Sequence, residues 1–163
     1  MAFGTGAHPT STLCMRMIEK YLKPGNSFLD IGTGSGILMI AAAKLGAGRL
    51  LGTDTDEVAA EIAKENLILN KIDEKRFAVK VTSLAEEIIG RFDIVAANIL
   101  SEVILNLLDS VSKVISKNGL LICSGIIEKN RSTVEEKMKR KGFEIIDVQT
   151  SDGWVCIAGR LRA

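Results

Sequence analysis

FLDIGTGSGI, residues 28–37, is a short apolar run that ends at an acid and then carries glycine at every second position. An apolar run followed by a glycine-rich turn and a helical pattern is typical of the first strand, turn and helix of an open parallel sheet. Ligands bind such sheets beyond the carboxyl ends of the strands, near the point where the strand order reverses. The glycines let a ligand approach peptide atoms that a Cβ would shield. The stretch therefore predicts a fold and a binding site together.

The rest of the chain alternates short apolar runs with amphipathic segments, as in a sheet covered by helices. We predict an α/β fold, with a doubly wound, Rossmann-like, seven-stranded and mostly parallel sheet and helices on both faces. The predicted strands are 27–31, 49–54, 78–82, 92–98, 119–124, 143–150 and 154–161. Only Ser151-Asp152-Gly153 separates the last two, so the final strand should be antiparallel to its predecessor. The predicted helices are 10–21, 36–45, 56–70, 84–89, 102–116 and 129–141.

Length and composition predict one compact domain over residues 1–163, with no internal repeat and no metal site. The net charge of +1 leaves no large field to attract nucleic acid or a membrane. The odd set of Cys14, Cys123 and Cys156 lacks C-x-x-C spacing, which argues against a disulfide framework or a zinc site. The same cysteine pattern favours a reducing compartment, so we expect a cytoplasmic protein. No apolar stretch reaches the roughly 20 residues of a membrane span.

The glycine spacing distinguishes between cofactor classes. It is G-x-G-x-G rather than the G-x-G-x-x-G of dinucleotide sites, and no G-K-[ST] follows it. The acid two residues before the first glycine completes a D-x-G-x-G-x-G pattern, which resembles the first motif of class I S-adenosylmethionine-dependent methyltransferases. The resemblance implies that Gly32, Gly34 and Gly36 lie against the methionine part of S-adenosyl-L-methionine and that Asp30 holds its amino group. A nicotinamide oxidoreductase remains a remote alternative.

Polar residues at the next two strand ends extend this prediction. Asp54 can accept both ribose hydroxyls with one carboxylate. Its alternative role is helix capping, which we assign instead to Asp56. Ser83 is the candidate for the adenine amino group in the resembled family, although a serine at this point is equally expected to cap the next helix.

Two further segments, AFGTGAHPTSTLC and FDIVAANIL, narrow the resemblance. Together with the glycine turn they are similar to the PrmA family of ribosomal protein methyltransferases, which modify protein eleven of the large subunit. In that family the first segment folds over the cofactor, and its second threonine is replaced here by serine. The resemblance assigns this covering role to Phe3, Gly4, Thr5, Gly6, Thr10 and Ser11.

The N-I-L triplet that ends the fourth predicted strand carries the predicted chemistry. By the resemblance, the amide oxygen of Asn98 and the backbone carbonyl of Ile99 accept hydrogens of the acceptor amine, and Asn98 also borders the cofactor. Asparagine is otherwise a common turn residue at a strand end. We expect His8 to order the loop and the helix start rather than to act in catalysis, and Trp154 to pack or to line the edge of the cleft.

These residues predict an S-adenosylmethionine-dependent N-methyltransferase that acts on amino groups of a protein, by resemblance a large-subunit ribosomal protein. Other lysines or small amines are alternative acceptors. Family enzymes carry an N-terminal recognition domain before the F-G-T-G segment, whereas this sequence starts two residues before Phe3. A cofactor-binding domain that is inactive without that domain is therefore a further alternative. We expect no direct nucleic-acid or membrane partner, and the oligomeric state stays open.

Overall fold

A computed structural model describes residues 8–83 and 85–162 of the chain. In this described part, seven strands form one sheet that is flanked by five α-helices. The strands are β1 Phe28–Ile31, β2 Leu50–Asp54, β3 Phe77–Val81, β4 Phe92–Asn98, β5 Ile115–Ile127, β6 Phe143–Ser151 and β7 Trp154–Leu161. The helices are α1 Pro9–Tyr21, α2 Ile37–Lys44, α3 Glu57–Leu69, α4 Ser101–Leu107 and α5 Arg131–Arg140. No helix among these residues is long and apolar enough to cross a membrane.

The strand order is β3-β2-β1-β4-β5-β7-β6. β1 pairs in parallel with β2 on one side and with β4 on the other, so the chain order reverses between β1 and β4. β7 lies between β5 and β6 and is antiparallel to both. This arrangement confirms the predicted doubly wound, mostly parallel sheet with an antiparallel final strand. The reversal opens a space at the carboxyl ends of β1 and β4.

Two apolar cores, one on each face of the sheet, hold the layers together. Successive strand residues alternate between them, so Phe28 belongs to the core with α1 and α2, and Leu29 to the core with α4 and α5. Both side chains are fully buried. The strands are apolar at consecutive positions because helices cover both faces of the sheet.

The predicted helix 102–116 is wrong in its second half. α4 ends at Leu107, a 3₁₀ turn spans Val111–Val114, and β5 starts at Ile115 instead of residue 119. Ile115 pairs with Phe92 of β4, a contact far away in sequence, and both side chains are fully buried. Burial in the sheet therefore outweighs the helical pattern of this segment.

Two smaller differences concern short helices. The predicted helix 84–89 is a 3₁₀ turn at Ala85–Glu87, and a 3₁₀ turn at Glu128–Asn130 precedes α5. β5 ends at Ile127 instead of residue 124, and the bounds of the remaining predicted strands and helices agree with the structure within two residues.

We predict that Leu29→Ala lowers the free energy of unfolding by about 2–5 kcal/mol, because it leaves a cavity in the fully buried core. Urea denaturation measures this change. The matched control is Leu69→Ala, which truncates a leucine that is 76% exposed and should change stability by no more than about 0.5 kcal/mol. Equal effects of the two substitutions would contradict the assignment of Leu29 to the core.

Candidate functional site

A crevice of about 710 Å³ lies at the carboxyl ends of β1, β2 and β4, where the strand order reverses. Its walls combine exposed backbone, polar side chains at strand ends, and apolar side chains. The lining residues are His8, Thr10, Ile31, Gly32, Thr33, Gly34, Ile37, Leu38, Asp54, Thr55, Thr82, Ser83, Asn98, Ile99, Leu100, Val103, Gly125 and Trp154. The crevice therefore offers a ligand both apolar surface and hydrogen-bonding groups.

The glycine turn after β1 forms one wall. The N–H groups of Gly32 and Thr33 both donate to the backbone oxygen of Thr53, each at 2.8 Å, which fixes the turn onto β2. A Cβ at Gly32 would lie 2.8 Å from Cγ2 of Ile99, closer than such atoms approach, and the φ of +75° also favours glycine. Gly36 does not line the crevice; it caps α2, where a Cβ would lie 3.3 Å from the backbone of Ala63. The two glycines thus serve different contacts.

Asp54, at the end of β2, is fixed by two backbone hydrogen bonds. Its Oδ2 accepts from the N–H of Gly34 at 2.9 Å, and its Oδ1 accepts from the N–H of Asp56 at 3.0 Å. Each carboxylate oxygen can accept a further hydrogen bond, so a ligand in the crevice finds an oriented acceptor. Asp56 caps α3 by accepting from the N–H of Val58 at 2.9 Å, which confirms its predicted capping role.

Asp30 lies beneath the glycine turn and is only 1% exposed. Burial raises the pKa of this carboxyl to about 7; the hydroxyl of Thr33 opposes the shift, and the carboxylate of Asp54 adds to it. Neither oxygen of Asp30 forms a hydrogen bond with a described residue, and the Thr33 hydroxyl, although close, also lacks one. Such a desolvated acid is stabilised either by a proton or by a positive group near the turn.

The start of α1 closes the other side of the crevice. Nδ1 of His8 accepts from the N–H of Thr10 at 3.2 Å and lies 2.8 Å from the hydroxyl oxygen of Thr10. His8 is thus the N-cap of α1, as expected for a residue that orders the helix start. Its ring meets the ring of Trp154 edge-on, with centroids 5.3 Å apart. This contact holds Trp154 as part of the crevice wall.

Asn98, the last residue of β4, is oriented by α1. Its Nδ2 donates to the hydroxyl oxygen of Ser11 at 3.2 Å, whereas its Oδ1 is buried and bonds to no described residue. The hydroxyl of Ser124 donates to the backbone oxygen of Thr10 at 2.7 Å and so ties α1 to β5. These bonds direct the amide nitrogen away and leave the amide oxygen as an acceptor for a ligand donor.

Most predicted site residues that the structure describes come together here. The lining includes Thr10, Gly32, Gly34, Asp54, Ser83, Asn98 and Ile99. Ser11 and Asp30 are buried behind it, and Gly36 lies at the helix start. The predicted cover residues Phe3, Gly4, Thr5 and Gly6 lie outside the described residues.

Sequence reasoning missed Thr33, Thr55, Thr82 and Gly125, which also line the crevice. The three threonines directly adjoin a predicted residue in sequence, and this adjacency is the signal that could have identified them. Gly125 lies within β5, where a Cβ would come within 3.2 Å of Oδ1 of Asn98. Only the pairing of β4 with β5 reveals that proximity.

Comparison with known proteins agrees with this geometry. The family model described as ribosomal protein L11 methyltransferase (PrmA) matches residues 1–162. A protein of Desulfosudis oleivorans named ribosomal protein L11 methyltransferase is 52% identical over 162 residues, which cover 98% of this chain and 54% of the relative. One of the same name from Clostridium perfringens is 44% identical and is matched over 51% of its length. The chain thus spans about half the length of the curated relatives it matches.

A solved structure resembles the chain closely. It is described as a ribosomal protein L11 methylase from Lactobacillus delbrueckii subsp. bulgaricus and superposes with a TM-score of 0.91 at 35% sequence identity. The superposition covers 97% of this chain and 81% of that chain. The likeness therefore extends over nearly the whole described fold.

The raised pKa of Asp30 predicts a pH dependence of stability. The folded-state value of about 7 exceeds the value of about 3.9 in an unfolded chain, so the folded protein binds the proton more tightly. The protonated Asp30 therefore contributes to the free energy of unfolding. This contribution is fully present below about pH 4 and is lost as the pH rises to about 7. We predict that the free energy of unfolding, measured by urea denaturation, declines across this pH range in the unchanged chain. The variant Asp30→Asn, which cannot ionise at this position, should lack the decline.

The matched control is Asp152→Asn in the exposed turn between β6 and β7. Asparagine tolerates the φ of +51° at this position, so the fold should be kept. The control should retain the decline of the unchanged chain. A decline of equal size in Asp30→Asn would show that another group titrates.

Proposed function

The chain belongs to the ribosomal protein L11 methyltransferase family, and we propose that it transfers a methyl group from S-adenosyl-L-methionine to amino groups of a large-subunit ribosomal protein. One observation carries this proposal: the bare glycine turn, the oriented carboxylate of Asp54 and Asn98, whose amide oxygen bonds to no described residue, line one crevice. Residues 1–163 form the catalytic domain in this proposal.

The crevice fits the proposed cofactor. The exposed backbone of Gly32 and Gly34 would hold the methionine part, and the free lone pairs of Asp54 would accept the ribose hydroxyls. Ser83 would receive the adenine end. Asp30, buried and without hydrogen bonds to described residues, would balance the positive amino group from beneath the turn. When bound, S-adenosylmethionine supplies a methyl group that is already activated by the adjacent positive sulfur.

The protein must then present a neutral amine in the right orientation. Free lysine has a pKa of about 10.4, and apolar walls such as Ile31, Ile37 and Leu38 disfavour its charged form. The amide oxygen of Asn98 and the carbonyl of Ile99 accept the amine hydrogens and so aim the nitrogen lone pair. Asn98 cannot take up a proton, so it acts by orientation rather than as a base.

We also propose a cytoplasmic location, because the proposed acceptor is a ribosomal protein. A second candidate function follows from the greater length of the relatives, of which this chain matches about half. In that case the chain binds the cofactor but transfers methyl groups only together with sequence corresponding to the rest of those relatives. Mass spectrometry of a large-subunit ribosomal protein after incubation with the chain and cofactor distinguishes the two.

We predict that Asp54→Ala weakens S-adenosylmethionine binding by about tenfold or more, because two hydrogen bonds to a charged acceptor are lost. Isothermal titration calorimetry measures the affinity. The control Asp56→Ala removes a neighbouring carboxylate that caps α3; it should lower stability by about 0.5–2 kcal/mol but keep the affinity. Unchanged binding by Asp54→Ala would remove the ribose assignment.

We predict that Asn98→Ala lowers kcat about a hundredfold, because the amine loses its orienting acceptor, by analogy with the loss of one catalytic hydrogen-bond partner. Cofactor affinity should change far less than kcat. The control Asn106→Ala changes an exposed asparagine of α4 and should leave both values unchanged. An equal loss of affinity and kcat in Asn98→Ala would point to a binding role instead.

A further inference from the structure

Neither helix capping nor burial explains why a leucine stands at position 100. It is the N-cap residue of α4, and its side chain makes no capping hydrogen bond. Serine, threonine, aspartate and asparagine are favoured at this position because they accept a bond from the first free N–H groups, which leucine cannot do. Burial does not compensate, because the side chain is 66% exposed. The exposed side chain is therefore available for contact with a partner molecule.

Val103 shares the exposed face of Leu100. The two residues are three apart around the start of α4, a spacing that places side chains side by side. Val103 is 48% exposed, whereas the next residue, Ile104, is fully buried in the core. Both Leu100 and Val103 line the crevice. α4 thus turns one apolar side to the core and presents another at the crevice mouth.

These side chains lie next to the proposed reaction centre. Leu100 follows Asn98 and Ile99 directly in sequence. Asn98, Leu100 and Val103 also line the same crevice, so the residues next to an amine that reaches Asn98 can contact Leu100 and Val103. Glu102, exposed and between them in sequence, adds a carboxylate that attracts a positively charged segment.

We infer that Leu100 and Val103 form an apolar lip that docks an aliphatic side chain of the acceptor polypeptide, adjacent to the residue whose amine is methylated. The inference rests on the proposed function and adds a sequence preference to it. The acceptor segment combines a lysine or terminal amine with a leucine-like or valine-like neighbour. Burial of that neighbour removes both its own apolar surface and that of the lip from water.

Two synthetic peptides with one lysine test this preference: acetyl-Gly-Gly-Lys-Leu-Val-Gly amide and acetyl-Gly-Gly-Lys-Gly-Ser-Gly amide. Trp154 is the one tryptophan of the sequence and lines the crevice, so its fluorescence reports peptide binding without turnover. With S-adenosylhomocysteine present in excess, the Leu-Val peptide should bind about tenfold more tightly, the size expected for burying one aliphatic side chain. Equal affinities, or no fluorescence change with either peptide, would overturn the lip.

Leu100→Ser separates docking from folding. Serine is a favoured N-cap, so the Tm should stay the same or rise, while the peptide preference should fall to about twofold or less. The control Leu69→Ser removes a comparably exposed leucine that does not line the crevice and should keep the tenfold preference. A full preference in Leu100→Ser would show that the lip does not dock the peptide.

Failure of the proposed function is distinguishable from failure of the lip. A chain that binds neither S-adenosylmethionine nor S-adenosylhomocysteine contradicts the enzyme assignment. If the chain binds the cofactor, methylates both peptides and binds them with equal affinity, the enzyme assignment stands and the proposed docking at Leu100 and Val103 is contradicted.

Discussion

The backbone oxygen of Thr53 accepts hydrogen bonds from two successive N–H groups, those of Gly32 and Thr33, and the crevice depends on this junction. It turns the chain away from β1 and holds the turn against β2 with its peptide groups exposed. The side chain of Asp54, the next residue, accepts a hydrogen bond from the N–H of Gly34. The carboxylate and the turn therefore hold each other in place, and neither has to be ordered when a ligand arrives.

The opposite wall is held by hydrogen bonds of serine side chains. Here the start of α1 is joined to the ends of β4 and β5 through Ser124 and Ser11, and one of these bonds decides which atom of the Asn98 amide is left without a partner. An unpaired buried oxygen is costly in a folded chain. Among the described residues the Asn98 oxygen has no hydrogen-bond partner, and in the proposed function the acceptor amine supplies one, which connects the packing of α1 to the proposed chemistry.

Sequence reasoning recovered the parts of the site that local pattern determines. Asp54 and Asn98 could be placed because each ends an apolar strand, and parallel strands bring their ends to one edge. The segment after α4 could not be placed, because Ile115 joins the sheet through pairing with the distant Phe92. Ser11 shows the same limit: the resemblance assigns it a covering role, but the hydrogen bond that it accepts from Asn98, a partner 87 residues away, could not be predicted from the sequence. Pairings of this kind depend on tertiary packing that no local window of sequence contains.

Because of the placement of β7, one wall of the crevice depends on a strand near the end of the described residues. It is the latest strand in sequence among the described residues, yet it sits inside the sheet, hydrogen-bonded to β5 and β6 on its two sides. β6 does not pair with β5, so its only connection to the described sheet is through β7. Trp154, the first residue of β7, lines the crevice. A chain that stops before Trp154 would keep the glycine turn but lack one wall of the crevice, so the crevice depends on residues that lie far from the turn in sequence.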